Sequence, residues 1–420
     1  MESLSWYTSL PFGVVVLIIA IMPLAAERFW KKNRNKAIIM AVIGLPMLWY
    51  LAANLPTELL HTGRDYVSFM ILLGSLFIIS GGILMTGDVR ATPRVNTMFL
   101  IAGAVLANFI GTTGASMLLI RPLLRTNAER KRTAHIPVFF IFVVANIGGC
   151  LTPLGDPPLF LGYLIKGVPF FWTLRLFPEW LVTLALVLTI FYFLDRRAYN
   201  RESPQDIAFD ATAVAKIRFS GKINLLFLAG VILSVAIQIP TPYRELIMVA
   251  MTVLSLAFTK GQIREDNRFE YDPIAEVAIL FAGIFVTMVP ILTLLNVHGA
   301  EFGITKPWQF FWLTGGLSSF LDNAPTYLSF FSLAQGVTQS LPASGADIIS
   351  GVDSGFLRAI SCGAVFMGAM TYIGNGPNFM VKVIVEKENV KIPNFPMYMV
   401  YSIAILLPIF CLVTLIFFAR

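Results

Sequence analysis

Two aspartates stand where an apolar chain can least easily hold them. Asp156 lies within Thr152-Pro153-Leu154-Gly155-Asp156-Pro157-Pro158, and Asp322 within Ser318-Ser319-Phe320-Leu321-Asp322-Asn323-Ala324-Pro325-Thr326, each inside an apolar run. A charge at the centre of a membrane helix costs roughly 2.5–3.5 kcal/mol on insertion scales, so such residues usually line a polar path. Gly155, Pro157 and Pro158 prevent a continuous helix there and free backbone carbonyls. Carboxylate, amide, hydroxyl and carbonyl oxygens are hard ligands, suited to Na⁺ and H⁺ rather than to soft metals. The alternative is that each aspartate caps a helix, Asp156 especially, because it precedes a proline-started one. Capping and ion binding are compatible.

Other polar residues gather at the same breaks. Asn108, Thr112, Thr113 and Ser116 lie in one, and Asn146, Thr152 and Gly155 lead into Asp156. Ser319, Asn323 and Thr326 flank Asp322, and Thr371, Asn375 and Asn378 lie in a later break. All are candidate ion or substrate ligands. Helix N-termini at the breaks would aim N–H groups inward and favour an anion, which is the physical case for a carboxylate substrate. Ordinary capping explains the same residues equally well. Lys382 is a candidate charge partner for a membrane carboxylate, although a lysine near the end of a segment more often snorkels to the interface.

The elements that must position these residues are membrane helices. The chain is 57% hydrophobic and 13% charged, with a mean hydropathy of +0.76. A soluble domain carries about 25% charged residues, so much of this apolar surface must face lipid. Apolar spans are expected near 11–30, 36–54, 66–87, 136–166, 170–194, 222–240, 243–259, 274–296, 356–386 and 397–419. Segments 97–125 and 308–334 are apolar but broken in the middle, and are read as re-entrant hairpins whose tips meet inside the protein. The first span is followed, not preceded, by basic residues, so it reads as retained rather than as a cleaved signal.

Charge placement supports the two hairpins. With both returning to the side they entered, 24 of the 31 Lys and Arg residues fall on one side, which is expected to be cytoplasmic. Both termini then face outward, residues 195–222 form a cytoplasmic linker, and 335–355 form an outer loop. The formal net charge of +7 follows this topology rather than nucleic-acid binding. Cys150, Cys362, Cys411 and the three histidines are scattered, so no disulfide framework, resident metal or cofactor is expected beyond transported Na⁺ or H⁺.

The chain also repeats itself. Leu106 to Ile110 lies against Leu317 to Leu321. Thr152, Gly155, Pro158 and Phe160 coincide with Thr371, Gly374, Pro377 and Phe379. Each half, 1–194 and 223–420, then holds five spans and a hairpin. Five is odd, so the halves insert in opposite senses and should meet at a midplane site. The fold class is an all-α polytopic membrane protein with two inverted repeats, about 10 transmembrane helices, two re-entrant hairpins and two broken helices.

The break Asn146-Ile147-Gly148-Gly149…Gly155-Asp156-Pro157-Pro158 and the tip Ser319…Asp322-Asn323…Pro325 resemble the ion transporter superfamily, over about residues 36 to 419. That group includes NhaD-type sodium/proton antiporters, arsenite permeases and citrate transporters. The Gly-Asp pair and the Asp-Asn tip resemble the antiporters most closely; Asp156-Pro157-Pro158 looks more like the arsenite branch. The resemblance implies a homodimer in a bacterial inner membrane and an elevator-type motion.

The leading expectation is therefore sodium/proton antiport, with cation and proton competing for Asp156 and Asp322. The runner-up is cation-coupled uptake of a small carboxylate such as citrate, or another anion such as arsenite. An enzyme is not expected: an intramembrane aspartyl protease would need Gly-x-Gly-Asp, and Pro153 stands at its first glycine. A channel is a further alternative.

Overall fold

The computed structural model describes residues 4–212, 214–340 and 347–419. Residues 341–346 of the expected outer loop, residue 213 of the linker and Arg420 lie outside the described residues. The helices are α1 (Leu10–Ala25), α2 (Asn33–Asn54), α3 (Pro56–Ser80), α4 (Pro93–Thr126), α5 (His135–Val143), α6 (Pro157–Lys166), α7 (Phe177–Tyr199), α8 (Ile223–Ala236), α9 (Tyr243–Phe258), α10 (Asp272–His298), α11 (Pro307–Ser318), α12 (Asn323–Ser340), α13 (Ser354–Met367), α14 (Gly376–Lys387) and α15 (Phe395–Val413). Shorter helical turns join them. The chain is an all-α polytopic membrane protein.

One order of elements occurs twice: three helices, a segment that doubles back, a helix broken in the middle, and a last helix. The doubling back is plain in α4. Gly111, at φ 75° and ψ 156°, leaves the helical region and turns the chain. Asn96 and Asn127, 31 positions apart, exchange side-chain hydrogen bonds of 2.9 and 2.8 Å. In a straight helix they would stand about 46 Å apart. By length and composition α4 is one of seven helices able to cross a bilayer among the described residues, yet it returns to its own start. In the second half α11 and α12 pack together. Asp353 N–H donates to Thr338 on α12 at 3.1 Å, and a Cβ on nearby Gly355 would lie 3.6 Å from Pro307 on α11. The free ends of that pair therefore also lie together.

The base of the first doubled segment is clamped. Asp195 on α7 is fully buried and accepts from Arg130 at 2.6 Å and from Asn96 at 2.9 Å, with His135 Nε2 at 3.0 Å. The first limb of α4, through Asn96, and the segment just past the second limb, through Arg130, are thereby tied to α7. A buried charge held by this many donors keeps a fixed position.

The broken helices fall where Gly and Pro interrupt the apolar pattern. Between α5 and α6 the chain runs through a 3₁₀ turn, Ile147–Leu151, and an extended Asp156. Between α13 and α14 it runs through Gly368–Met370 and an extended Asn375.

Two expectations need correction. The third span, expected at 66–87, is α3 and begins at Pro56 and ends at Ser80. Residues Leu84–Asp88 form β1, which pairs antiparallel with β2, Ala215–Ser220, inside the linker. The cause is Gly81-Gly82, two poor helix formers in a row, followed by Gly87 at φ 107° in the strand. The linker is thus strapped back onto the first half, and α7 runs on to Tyr199. In addition, α8 and α9 have 14 and 16 residues, fewer than the roughly 20 that cross a bilayer upright.

Candidate functional site

Asp156 is the centre of the polar interior. It occupies the N-cap position of α6, but its carboxylate makes no capping bond. Instead Oδ1 accepts from the Thr112 hydroxyl at 3.1 Å and from Asn375 Nδ2 at 3.1 Å. Oδ2 accepts from Asn323 Nδ2 at 2.6 Å. Among the described residues no Lys or Arg forms an ion pair with it. A buried carboxylate held only by neutral donors is the arrangement that leaves a negative charge for a cation or proton to meet.

These four residues are two pairs of repeat-equivalent positions. Thr112 corresponds to Asn323 and Asp156 to Asn375, at the offsets of 211 and 219 read from the two matched stretches. Both broken-helix residues and both doubled-back tips meet at one carboxylate. The supporting bonds repeat as well. The Thr152 hydroxyl donates to the Asn108 carbonyl at 2.5 Å, and the Thr371 hydroxyl donates to the carbonyl of Ser319, the equivalent residue. A Cβ on Gly155 would lie 2.1 Å from the Gly149 carbonyl oxygen, and one on Gly374 would lie 2.6 Å from that of Gly368. Glycine is required at both breaks because two backbone strands cross there without room for a side chain.

Four helix N-termini converge on the carboxylate: the second limb of α4, α6, α12 and α14. Each contributes a partial positive charge. Asp156 is the anion that occupies this convergence. Asn146 extends the network by donating to the Ile141 carbonyl at 2.8 Å and to Asn378 Oδ1 at 2.7 Å. Its Oδ1 accepts from Asn375 at 3.2 Å. Asn378 in turn donates to the Gly368 and Thr371 carbonyls. Asn108 donates to the Ala104 and Gly148 carbonyls and accepts from Leu151 N–H.

The two aspartates differ. Asp322 is only partly buried, and its Oδ1 caps α12 by accepting from Ala324 N–H at 3.0 Å. Thr326 donates back to the Asp322 carbonyl at 2.9 Å. The capping alternative thus describes Asp322 and not Asp156. Ser319 is bound to the Gly315 and Met367 carbonyls. Ser116, one turn beyond Thr112, is buried with a hydroxyl that has no partner among the described residues, and the same holds for Asn323 Oδ1. Thr113 is beside the turn and partly exposed.

Lys382 does not reach either aspartate. Its Nζ pairs with Glu386 at 3.0 Å and lies over the rings of Tyr372 and Phe379. Its place one turn past Asn378 on α14 carries it away from the N-terminal end where the carboxylate sits. Sequence reasoning overlooked Lys166, at the far end of α6, whose Nζ is 2.7 Å from Ser332 and 3.1 Å from Gln335 on α12. Its signal was a lone lysine between two apolar stretches. Trp180, which donates to Gly148 at 3.2 Å, and Tyr398, which donates to Ala369 at 2.7 Å, brace the two 3₁₀ turns from outside and had no signal in spacing.

Paired breaks and paired tips around a buried carboxylate with no basic side-chain partner among the described residues define a membrane transporter. A family model described as "Putative citrate transport" matches residues 1–418. The chain belongs to that family of transporters. No curated protein matches it.

Proposed function

We propose that the protein exchanges an alkali cation, Na⁺ or Li⁺, for protons, with Asp156 as the shared ligand. The observation that carries this reading is that Asp156 is buried, bonded only to Thr112, Asn323 and Asn375, and free of any basic partner among the described residues. Two buried oxygens at or one turn from the same tips, Asn323 Oδ1 and Ser116 Oγ, have no hydrogen-bond partner among the described residues. The Asn323 amide orientation is set by chemistry: its NH₂ must face the carboxylate, which directs its carbonyl oxygen elsewhere. Acceptors without donors suit a cation. Asp322 adds a second negative charge next to Asn323.

In this reading the two halves insert in opposite senses, the doubled-back segments are re-entrant, and the more basic loops are cytoplasmic. In a chain freed of its native cysteines, a single cysteine at 128 should react only from the cytoplasmic side, and one at 64 only from outside. Reaction of 128 from outside together with 64 from inside would reverse the topology.

In proteoliposomes with an imposed pH gradient, Na⁺ or Li⁺ alone should dissipate the gradient without any organic anion. A second reading, cation-coupled carboxylate uptake, is favoured by the family's description and by the four converging helix N-termini. It predicts no response to alkali cations alone and saturable, Na⁺-dependent uptake of citrate or a similar carboxylate.

A further inference from the structure

The C-terminal end of α7 ends in a basic pocket unconnected with Asp156. Phe193 and Leu194 are exposed to 61% and 39%, which is the surface expected of a helix facing acyl chains. Arg196 and Arg197 follow immediately, then Asn200 and Arg201. Positions 193, 196 and 197 fall on one face of α7, and Asn200 and Arg201 continue it in the turn just past the helix end. These five residues line a shallow surface depression of about 420 Å³ that is largely open to its surroundings. The change from exposed Phe and Leu to guanidinium groups within one turn marks the level where hydrocarbon gives way to headgroups.

Three nearby acids are engaged elsewhere. Asp195 turns inward to Arg130, His135 and Asn96. Glu202 is buried and accepts from the backbone N–H groups of Lys131 at 3.3 Å and Arg132 at 2.8 Å. Asp210 accepts from Ala91 N–H through both oxygens. Among the described residues, none of Arg196, Arg197 and Arg201 forms an ion pair. Arginines in a last helical turn do complement the helix dipole. That role does not account for three arginines gathered around one depression above an exposed phenylalanine, one of them past the helix end.

We propose that this pocket binds the phosphate of an anionic lipid headgroup, with the guanidinium groups of Arg196, Arg197 and Arg201 on the phosphate oxygens and an acyl chain along Phe193. The planar fork of arginine matches phosphate oxygens two at a time, and basic groups just beyond a membrane span attract anionic lipid. The proposal uses only the reading of α7 as a membrane span, so its failure would leave the ion-exchange reading untouched.

The test uses the purified full-length chain in detergent. Thermal stability and lipid retention by native mass spectrometry are measured with added phosphatidylglycerol, phosphatidylcholine or inorganic phosphate. Phosphatidylglycerol should be retained and should raise the melting temperature, while phosphatidylcholine and millimolar phosphate should not. The triple substitution Arg196→Gln, Arg197→Gln, Arg201→Gln should weaken phosphatidylglycerol retention on the order of 100-fold. A triple Arg→Lys variant, which keeps the charge, should recover part of it. Should the Gln variant fail to fold, the wild-type lipid comparison and the Lys variant carry the test. Equal retention of both lipids by wild type, equal retention by the Gln variant, or full protection by inorganic phosphate would overturn the lipid site.

Discussion

Asp156→Asn should abolish cation-dependent proton movement while leaving the protein folded in the membrane. The two halves of this statement have separate causes. An asparagine at 156 removes the only carboxylate that Thr112, Asn323 and Asn375 surround. Removing one partner from a desolvated charge interaction costs about 3–5 kcal/mol, so cation affinity should fall by roughly 100-fold or more. The fold survives because neutral donors surround the position rather than a buried cation. The new NH₂ can face Asn323, whose amide can rotate to present its oxygen. Transport should be lost with an unchanged size-exclusion profile and a melting temperature within a few degrees of wild type. Transport at wild-type rates would show that Asp156 is not the ion ligand. Asp322→Asn is the informative companion, because asparagine also caps helices. It should keep the α12 cap, so any loss of transport there reports charge rather than structure.

Gly155→Ala should do the opposite and remove the folded protein. A methyl group there would meet the Gly149 carbonyl oxygen at 2.1 Å, and that oxygen is backbone, which cannot rotate away. Overpacking a tight site costs about 1–3 kcal/mol and occasionally more, and two crossing backbones place this case at the high end. The expected result is loss of the monodisperse peak or a large drop in melting temperature. Gly376→Ala, where a Cβ has nothing within 4 Å, is the control and should be tolerated. Normal folding of Gly155→Ala would mean that the Gly149–Gly155 crossing is looser than its geometry states.

How much of this could be read from the chain varies by element. The apolar spans and their Gly and Pro breaks were legible because the bilayer forces backbone polarity inward, so a break inside an apolar run has few explanations. The match of Thr152 to Thr371 and of Gly155 to Gly374 was legible for a related reason: the glycines let two backbones cross without a side chain between them, and each threonine hydroxyl ties its break to the neighbouring doubled segment. The end of α3 was not. Gly81 and Gly82 lie in a run that hydropathy reads as continuous, and the partner strand of Leu84–Asp88 lies more than 120 positions away. The Asn96–Asn127–Asp195 clamp joins three distant polar residues with no common spacing, so only the fold brings them together. The difference between Asp156 and Asp322 was likewise invisible, since both precede helix starts. The partner of Lys382, by contrast, was in plain view: Glu386 is four residues on, the ordinary spacing of a helical ion pair.

The central claim is that a cation and a proton compete for Asp156, and proton release on cation binding tests it most directly. Na⁺ or Li⁺ would be added to purified wild-type protein in weak buffer, with the pH followed by an indicator dye. A cation that displaces a proton from the carboxyl group must acidify the solution. The release should saturate with cation concentration, and the half-saturating concentration should rise as the starting pH falls, because protons then occupy more of the site. It should be absent from Asp156→Asn. Saturable release from wild type alone is the result this account predicts; no release with any alkali cation, or the same release from Asp156→Asn, would contradict it.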